Sequence, residues 1–231
     1  MAGIARDLGL PRSTVYHLLR VLADAGFVVH LPEEGRYGLG VSAFELGTAY
    51  TRQAPLARLA RPVLARLVDR VGQSAHLAVL HGREVLYVVE ERAPGRPPLV
   101  TDVGVRLPAH LTASGRAVLA ALPPAQVLAL FPDASAFVDR HGTGPGSLTA
   151  LRRVLTDVRR RGLAVEDGEV TPGFASSAVA VVDHAGHPVA GLAVTWPTGS
   201  GSGSGSRGDE LTERLVQAGD ELSRRVGHRP G

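Results

Sequence analysis

The sequence predicts an α+β protein: a small N-terminal winged helix-turn-helix, a linking helix, and a larger C-terminal domain with a largely β core. Three observations predict it. Residues 4–40 run helix, glycine turn, helix, hairpin; residues 41–71 keep a helical spacing of apolar residues; and residues 72–226 place strands first, then helices, then strands and a last helix.

Ile4, Ala5 and Leu8 make a short amphipathic helix, and Gly9 supplies a tight turn. From Pro11 to Ala25, Val15, Leu18, Leu19 and Leu22 recur at steps of three and four, which predicts a helix with one buried stripe. Pro11 suits its first turn and Gly26 its C-terminal stop. "FVVH" and "RYGLG" around "LPEEG" read as a hairpin. In a winged helix-turn-helix the second helix enters the major groove by its N-terminal residues and the hairpin touches the flanking backbone. Arg12, Ser13 and Thr14 then lie at the helix N-terminus, where free N–H groups favour phosphate; His17 and Arg20 reach base edges or phosphates, and Arg36 at the wing is a backbone-contact candidate. Set against this is a plain amphipathic pair of helices with a solvated polar face.

Charge alone does not identify a nucleic-acid binder. The net charge is +3, and residues 1–50 hold four Arg against five acids, so any polyanion must be met by local placement of charge. Residues 51–70 carry five Arg against Asp69, most simply a solvated face of the linking helix, with contact to flanking DNA a lesser reading. That segment has Phe44, Leu46 and Gly47 in a first piece and Leu56, Leu59, Leu64, Leu67 and Val68 in a second, parted around Pro55. There is no Cys, which excludes disulfides, thiolate metal sites and Cys nucleophiles. No apolar run is long enough to span a bilayer and no signal-peptide pattern opens the chain, so the expected setting is cytoplasmic, away from membranes.

After Gly72, "AHLAVLH" and "EVLYVVEER" read as a strand hairpin and "PPLVTDV" as a third strand. Helices follow at "TASGRAVLAAL", after Pro123 and Pro124, and at "LTALRRVLTDVRRRG". "FASSAVAVVD" and "HPVAGLAVTW" form two further strands about the turn "HAGH", and the last helix runs from about Asp209 to Val226. This order predicts a sheet with helices on one face. The tract "TGSGSGSGSRGD" reads as a flexible loop ahead of the last helix.

The run "GLPRSTVYHLLRVLADAGFV", followed by "GRYGLG" and "ELG", resembles the DNA-binding domain of the IclR family of bacterial transcriptional regulators. "LPAHLTASGRAVLA", "RRRGLAVEDGEVTPGFASSAVAVVD" and "AGLAVTW" are similar to that family's effector-binding domain. The resemblance implies a GAF-like or profilin-like α/β fold over residues 72–231, a winged helix-turn-helix over 1–50 and a linker helix over 51–71. It further implies a homodimer or homotetramer acting as repressor or activator, and a small molecule held in a cup by Thr112, Ser114, Gly115, Glu166, Ser176 and Thr195. The chain has His17 where the family commonly has Arg, Glu166 for Asp, Ser176 for Cys and Ala193 for a Ser. The family also carries a helix ahead of the one that begins here at Ala2, so the expectation is a start codon placed too far downstream, or else an altered DNA-binding domain.

The residues agree with such a cup. A helix opening at "TASG" offers unpaired N–H groups to a carboxylate or carbonyl, Thr112, Ser176 and Thr195 offer hydroxyls, and Glu166 accepts from a ligand hydroxyl. Leu107, Val165, Leu192 and Val194 are the expected apolar lining. The plainer reading has Thr112 and Ser114 as helix caps, Ser176 as strand filler and Glu166 solvated. A small organic acid or a hydroxylated or aromatic metabolite is the expected effector.

Other chemistries find little support. No GxSxG elbow accompanies Ser176 or Ser177, and nothing orients a His toward them, so no catalysis is expected. Asp183, His184 and His187 in "DHAGH" read as a hairpin turn before they read as metal ligands, and no nucleotide motif or cofactor is implied. The sequence therefore reads as a ligand-responsive transcriptional regulator binding double-stranded DNA. The alternative is a metabolite sensor that has lost autonomous DNA binding through its shortened N-terminus.

Overall fold

The computed structural model describes residues 2–46, 55–200 and 202–228, and the chain divides into two compact units, Met1–Pro55 and Leu56–Gly231. In the first, α1 (Ala2–Leu8) and α2 (Arg12–Asp24) are joined through Gly9, and β1 (Val28–Leu31) pairs antiparallel with β2 (Arg36–Leu39). Gly26, at a φ of 74°, turns the chain out of α2. Gly40 then closes the wing against that turn, since a Cβ there would lie 2.1 Å from the Gly26 carbonyl oxygen. Residues 41–46 are helical; the part of the predicted linking segment at 47–54, Gly47 included, lies outside the described residues.

The expected buried stripe of α2 is only partly realised. Val15 is buried, but Leu18 and Leu22 are 47% and 40% exposed. Two short helices and a two-stranded wing offer too little surface to cover that side of α2.

The second unit begins with α3 (Pro55–Val71) and contains a six-stranded, wholly antiparallel sheet in the order β5-β4-β3-β8-β7-β6. Its strands are β3 (Ser74–His81), β4 (Glu84–Glu91), β5 (Arg106–Pro108), β6 (Ala164–Asp167), β7 (Phe174–Val182) and β8 (Pro188–Pro197). Between β5 and β6 come α4 (Ala113–Ala121), α5 (Pro124–Leu130) and α6 (Leu148–Arg161), and α7 (Gly205–Arg225) ends the fold.

Helices cover both faces of the sheet, not one. Gly191 of β8 meets α4: a Cβ there would sit 2.3 Å from the Ser114 carbonyl oxygen. Its neighbour Leu192 pairs with Val179, whose Cγ2 lies 2.5 Å from where Gly219 of α7 would carry a Cβ. Adjacent residues of a strand point to opposite faces, so α4 and α7 lie on opposite sides. The α4 side holds the larger core, with Phe131, Leu111, Leu119, Leu151 and Leu155 almost wholly buried. On the other side α3 runs beside α7, where Arg66 donates to Glu221 at 2.6 Å. With a sheet buried on both faces, β8 loses the polar alternation that would have revealed its second partner.

Three further expectations are corrected. "PPLVTDV" is not a strand; Pro97 and Pro98 have no N–H to give a ladder, and the pairing passes to Arg106–Pro108. β6 is a strand that the sequence reading did not find, four residues long and directly behind α6. The last helix starts at Gly205, four residues before Asp209, which shortens the expected Gly/Ser loop. In that tract Gly203 packs on Trp196, where a Cβ would be 2.7 Å from the indole ring, and Ser202 accepts from Gln73 Nε2 at 3.0 Å.

The contact of α4 with β8 yields a test. Gly191→Ala is expected to destabilise the protein by about 1–3 kcal/mol in urea unfolding, because the methyl group meets backbone that has no rotamer to yield. Gly146→Ala, at an open position with nothing within 4 Å, should stay within about 0.5 kcal/mol of the parent.

Candidate functional site

Two places carry exposed or unpartnered polar groups in patterns that packing alone does not require. The first is the outer side of α2. Arg12, Ser13, Thr14, His17 and Arg20 are all exposed there. The helix starts directly behind Pro11 with no side-chain cap, and its first backbone bond outside the regular ladder runs from the Val15 N–H to the Pro11 carbonyl at 3.1 Å. The N–H groups of residues 12–14 therefore face outward beside three polar side chains. Arg20 reaches Asp24 at 3.9 Å, and Arg36 at the wing reaches Glu34 at 3.6 Å. Both pairs are exposed and weak, so a phosphate can replace either carboxylate at little cost.

The second place is a cup on the α4 side of the sheet. Strand register builds it: Glu166 of β6 pairs with Ser176 of β7, and Ser176 with Thr195 of β8. These three side chains form one polar row across the sheet. The Ser176 hydroxyl donates to Glu166 Oε1 at 2.7 Å, and its oxygen lies 2.9 Å from Thr195 Oγ1, which donates to it in turn. One residue pair along, His76 of β3 pairs with Ala193 and points to the same side. The walls are completed by Tyr87, Ser114, Thr112, Val170, Thr171 and Phe174, and the strap Leu99–Thr101 lies across it. The free volume is about 20 Å³, room for one or two waters where about 10–15 Å³ holds one.

The expected residues separate here into distinct positions. Ser114, Glu166, Ser176 and Thr195 line the cup together. Thr112 lines it too, but its oxygen accepts from the Gly115 N–H at 3.0 Å and so caps α4. Gly115 does not line it; a Cβ there would lie 2.2 Å from the Ala109 carbonyl, so it serves the close packing of α4. Glu166 is buried, at 4% exposure, not solvated. None of Leu107, Val165, Leu192 and Val194 is a wall residue. Leu192 and Val194 face the other side of the sheet, Val165 is half-exposed, and Leu107 belongs to the core below. The apolar walls are Leu99, Val100, Val170, Phe174 and Ala193. Period-2 spacing does place Ala193 beside Thr195, but which face of a doubly buried strand meets the cup is settled by the helices.

Arg116, His76 and Tyr87 are functional candidates that the sequence reading missed. Arg116 is 3% exposed and each of its three nitrogens donates one hydrogen bond: Nε to the His110 carbonyl, Nη1 to the Val165 carbonyl and Nη2 to Glu169 Oε1, each at 2.8 Å. Glu169 Oε2 accepts from the Asp167 N–H at 2.7 Å. Arg116 thus pins the β6 turn to α4 on either side of Glu166. An Arg three residues into a "TASGR" start was the available signal; only burial distinguishes it from a solvated one.

The cup carries no free cation among the described residues lining it. Burial, reinforced by Arg92, holds His76 down to about 4, so its ring is neutral at pH 7 and hydrogen-bonds Thr101 Oγ1 at 3.2 Å from Nδ1. Burial raises the Tyr87 hydroxyl well above its ordinary range. Burial also pushes Glu166 up to about 7, against the downward pull of Ser176 and Arg116. Two buried polar atoms in the cup, Ser114 Oγ and Glu166 Oε2, make no well-formed hydrogen bond, although the Tyr87 hydroxyl lies near Ser114 and the Val170 N–H near the Glu166 carboxyl. Asp183, by contrast, spends its carboxylate on its own turn, accepting from the N–H groups of Ala185 at 2.8 Å and His187 at 3.0 Å.

Glu166 makes stability depend on pH with a defined sign. Its native value of about 7 exceeds the ordinary 4.5, so between those values the native state binds a proton that the unfolded chain has released. Stability falls as pH rises through that window. Glu166→Gln should remove this slope and leave the variant more stable than the parent at pH 8 by on the order of 3 kcal/mol in urea unfolding. A parallel pH dependence in the two proteins would show that Glu166 does not titrate there.

Residues 48–224 match the family model described as "Bacterial transcriptional regulator IclR C-terminal", and residues 1–32 match "IclR helix-turn-helix domain". The chain is similar to the HTH-type transcriptional regulator XynR of Escherichia coli (strain K12), 32% identical over 97% of this chain and 88% of that one. It is similar also to the Glycerol operon regulatory protein of Streptomyces coelicolor, 33% identical over 98% of this chain and 88% of that one. The crystal structure of the Thermotoga maritima IclR superposes with a TM-score of 0.75 at 26% identity, covering 98% of this chain and 90% of that one. With a winged helix-turn-helix ahead of a cupped antiparallel sheet, and family models matched over most of its length, the chain belongs to the IclR family of bacterial transcriptional regulators.

Proposed function

We propose that this chain is a cytoplasmic, homo-oligomeric regulator in which a small organic effector in the cup alters the affinity of paired winged helices for double-stranded DNA. In this reading residues 1–50 read DNA, residues 51–71 link, and residues 72–231 bind the effector; the division between compact units at Pro55 supports the separation of roles. Arg12, Ser13, Thr14, His17 and Arg20 meet base edges and phosphates in the major groove, and Arg36 meets the flanking backbone once phosphate displaces Glu34. Exposure of all five α2 side chains beside uncapped N–H groups supports this.

Thr112, Ser114, Gly115, Glu166, Ser176 and Thr195 build the effector site, with Thr112 and Gly115 shaping the α4 N-terminus and the other four offering polar atoms. The single observation that carries the assignment is the pair of buried, unpartnered atoms Ser114 Oγ and Glu166 Oε2 facing one small cavity. A buried polar atom without a partner costs about 1–3 kcal/mol, which an occupant recovers. An organic acid or a hydroxylated or aromatic metabolite offers matching groups, and the small free volume favours the shorter members of that class. Such an effector regulates only if it binds the DNA-competent and DNA-incompetent arrangements with different affinity. The Ser176 proton goes to Glu166 and His76 bonds Thr101, not Ser176, so binding without turnover is the reading.

Fluorescence-anisotropy titration against DNA from the gene's own upstream region, at two salt concentrations, tests the DNA arm. Arg20→Ala is expected to weaken binding by roughly tenfold and to lower the salt dependence by about one phosphate equivalent, with unchanged melting because Arg20 is exposed. Unaltered affinity would remove Arg20 from the interface; specific binding absent from the parent protein as well would remove the DNA-reading function.

A further inference from the structure

We propose that the cup takes a short-chain amino acid, with its ammonium on Glu166 and Thr195 and its carboxylate on Ser114 and the first turn of α4. The proposal rests on the effector reading above and narrows it. It starts from charge. Glu166 is a carboxyl group buried in the cup, 4% exposed, ionised above a pH of about 7, and one of its oxygens makes no well-formed hydrogen bond. None of the charged or titratable groups that face it supplies a free positive charge. Arg116 of α4 spends its donors on two carbonyls and on Glu169. Glu169, in the turn after β6, adds a second negative charge nearby. His76 of β3 is neutral, and Tyr87 of β4 keeps its proton. The cup is therefore short of one positive charge.

Ligand chemistries differ in how they meet that shortage. A hydroxyl gives Glu166 a hydrogen bond but leaves its charge uncompensated. A simple acid adds a second negative charge to a space with no cation, against which a helix N-terminus offers only about half a charge. An ammonium supplies both the charge and three donors, and the row next to Glu166 is arranged to receive donors. Because Ser176 gives its proton to Glu166 and Thr195 gives its own to Ser176, the Thr195 oxygen turns lone pairs, not a proton, toward the cup.

The opposite polarity stands beside it. Ser114, 1% exposed, has an unpartnered hydroxyl. It lies in the first turn of the nine-residue helix α4, where the Gly115 N–H is taken by Thr112 and the N–H groups of residues 113 and 114 precede the first intrahelical bond, from the Arg116 N–H to the Thr112 carbonyl. Donors on α4 and acceptors on the β6-β7-β8 row are thus juxtaposed across a volume of about 20 Å³. An amino acid places its two charges on adjacent carbons, a separation that matches the closeness of these groups; with six heavy atoms even alanine exceeds a space for one or two waters, so its binding requires the lining strap Leu99–Thr101 to give way.

The test is calorimetric titration of the full chain near pH 7.5 with four probes of nearly equal size: L-alanine, L-lactate, propionate and glycerol. The first three differ only in the group on the second carbon. L-alanine is expected to bind more tightly than each of the others by at least about tenfold. Its affinity should rise from pH 6 to pH 8 as Glu166 ionises. Glu166→Gln should abolish the preference for alanine over lactate, and Ser114→Ala should weaken both by a similar factor; melting curves verify that both variants are folded. If lactate, propionate or glycerol binds and alanine does not, or if the preference survives Glu166→Gln, the ammonium assignment is overturned while the cup remains the effector site. If all four are silent and Glu166→Gln leaves DNA affinity unaltered, the effector reading of the cup falls, and this proposal with it.

Discussion

The direct seating of α4 on β8, backbone against backbone, is the constraint on which the second unit depends. Gly191 leaves no side chain between the strand and the Ser114 carbonyl, and Gly115 lets the start of the helix close on Ala109. A methyl group at either position would lift the helix off the sheet by the thickness of a side chain. Held down, α4 delivers three things to one spot: the hydroxyl of Ser114, the unpaired N–H groups of its first turn, and the guanidinium of Arg116. Ser114 lines the cup beside that first turn, and Arg116 fixes the far wall by gripping Val165 and Glu169 on either side of Glu166.

The electrostatics of the cup follow from that arrangement. Arg116 is close enough to moderate Glu166 but too fully bonded to serve as its counter-ion, so desolvation dominates and the carboxyl titrates near neutrality, at about 7. His76 supplies no charge, being kept neutral by burial and by Arg92. A polar row paid for by strand register, with Ser176 relaying Thr195 to Glu166, then holds an acceptor-rich edge opposite a donor-rich helix end. As the proposed effector site it would be selective, because any occupant that fails to match leaves a buried group unsatisfied.

Much of the fold was legible in the sequence because it rests on short-range rules. The second helix of the DNA-reading unit is bounded by Pro11 and Gly26, and the wing by a Pro/Gly turn; α4, α5 and α6 begin at Thr112, Pro123 and Ser147, residues suited to helix starts. Most of the misreadings, the local prolines of "PPLVTDV" apart, share one cause: they depended on a partner far away in the chain. β6 is too short to show a period and exists because β7 pairs with it. Helices on both faces could not be inferred from β7 and β8, whose buried residues run on without a polar face. Gly203 reads as part of a low-complexity tract until Trp196 is seen beneath it.

The candidate site divides along the same line. By itself the sequence offered the polar candidates Ser114, Glu166, Ser176 and Thr195 through its resemblance to the family, and the polar row of α2 from Arg12 to Arg20 through helical spacing, since motifs and spacing say which side chains are available. Tertiary structure alone decided their state. It assigned Thr112 to capping, Gly115 to packing and Leu192 and Val194 to the opposite face, it brought in His76 and Tyr87 from strands tens of residues away, and it buried Arg116. It also decided that Glu166 is buried without a counter-ion. Burial and charge balance are properties of everything that surrounds a group in space, and no local stretch of sequence carries that information.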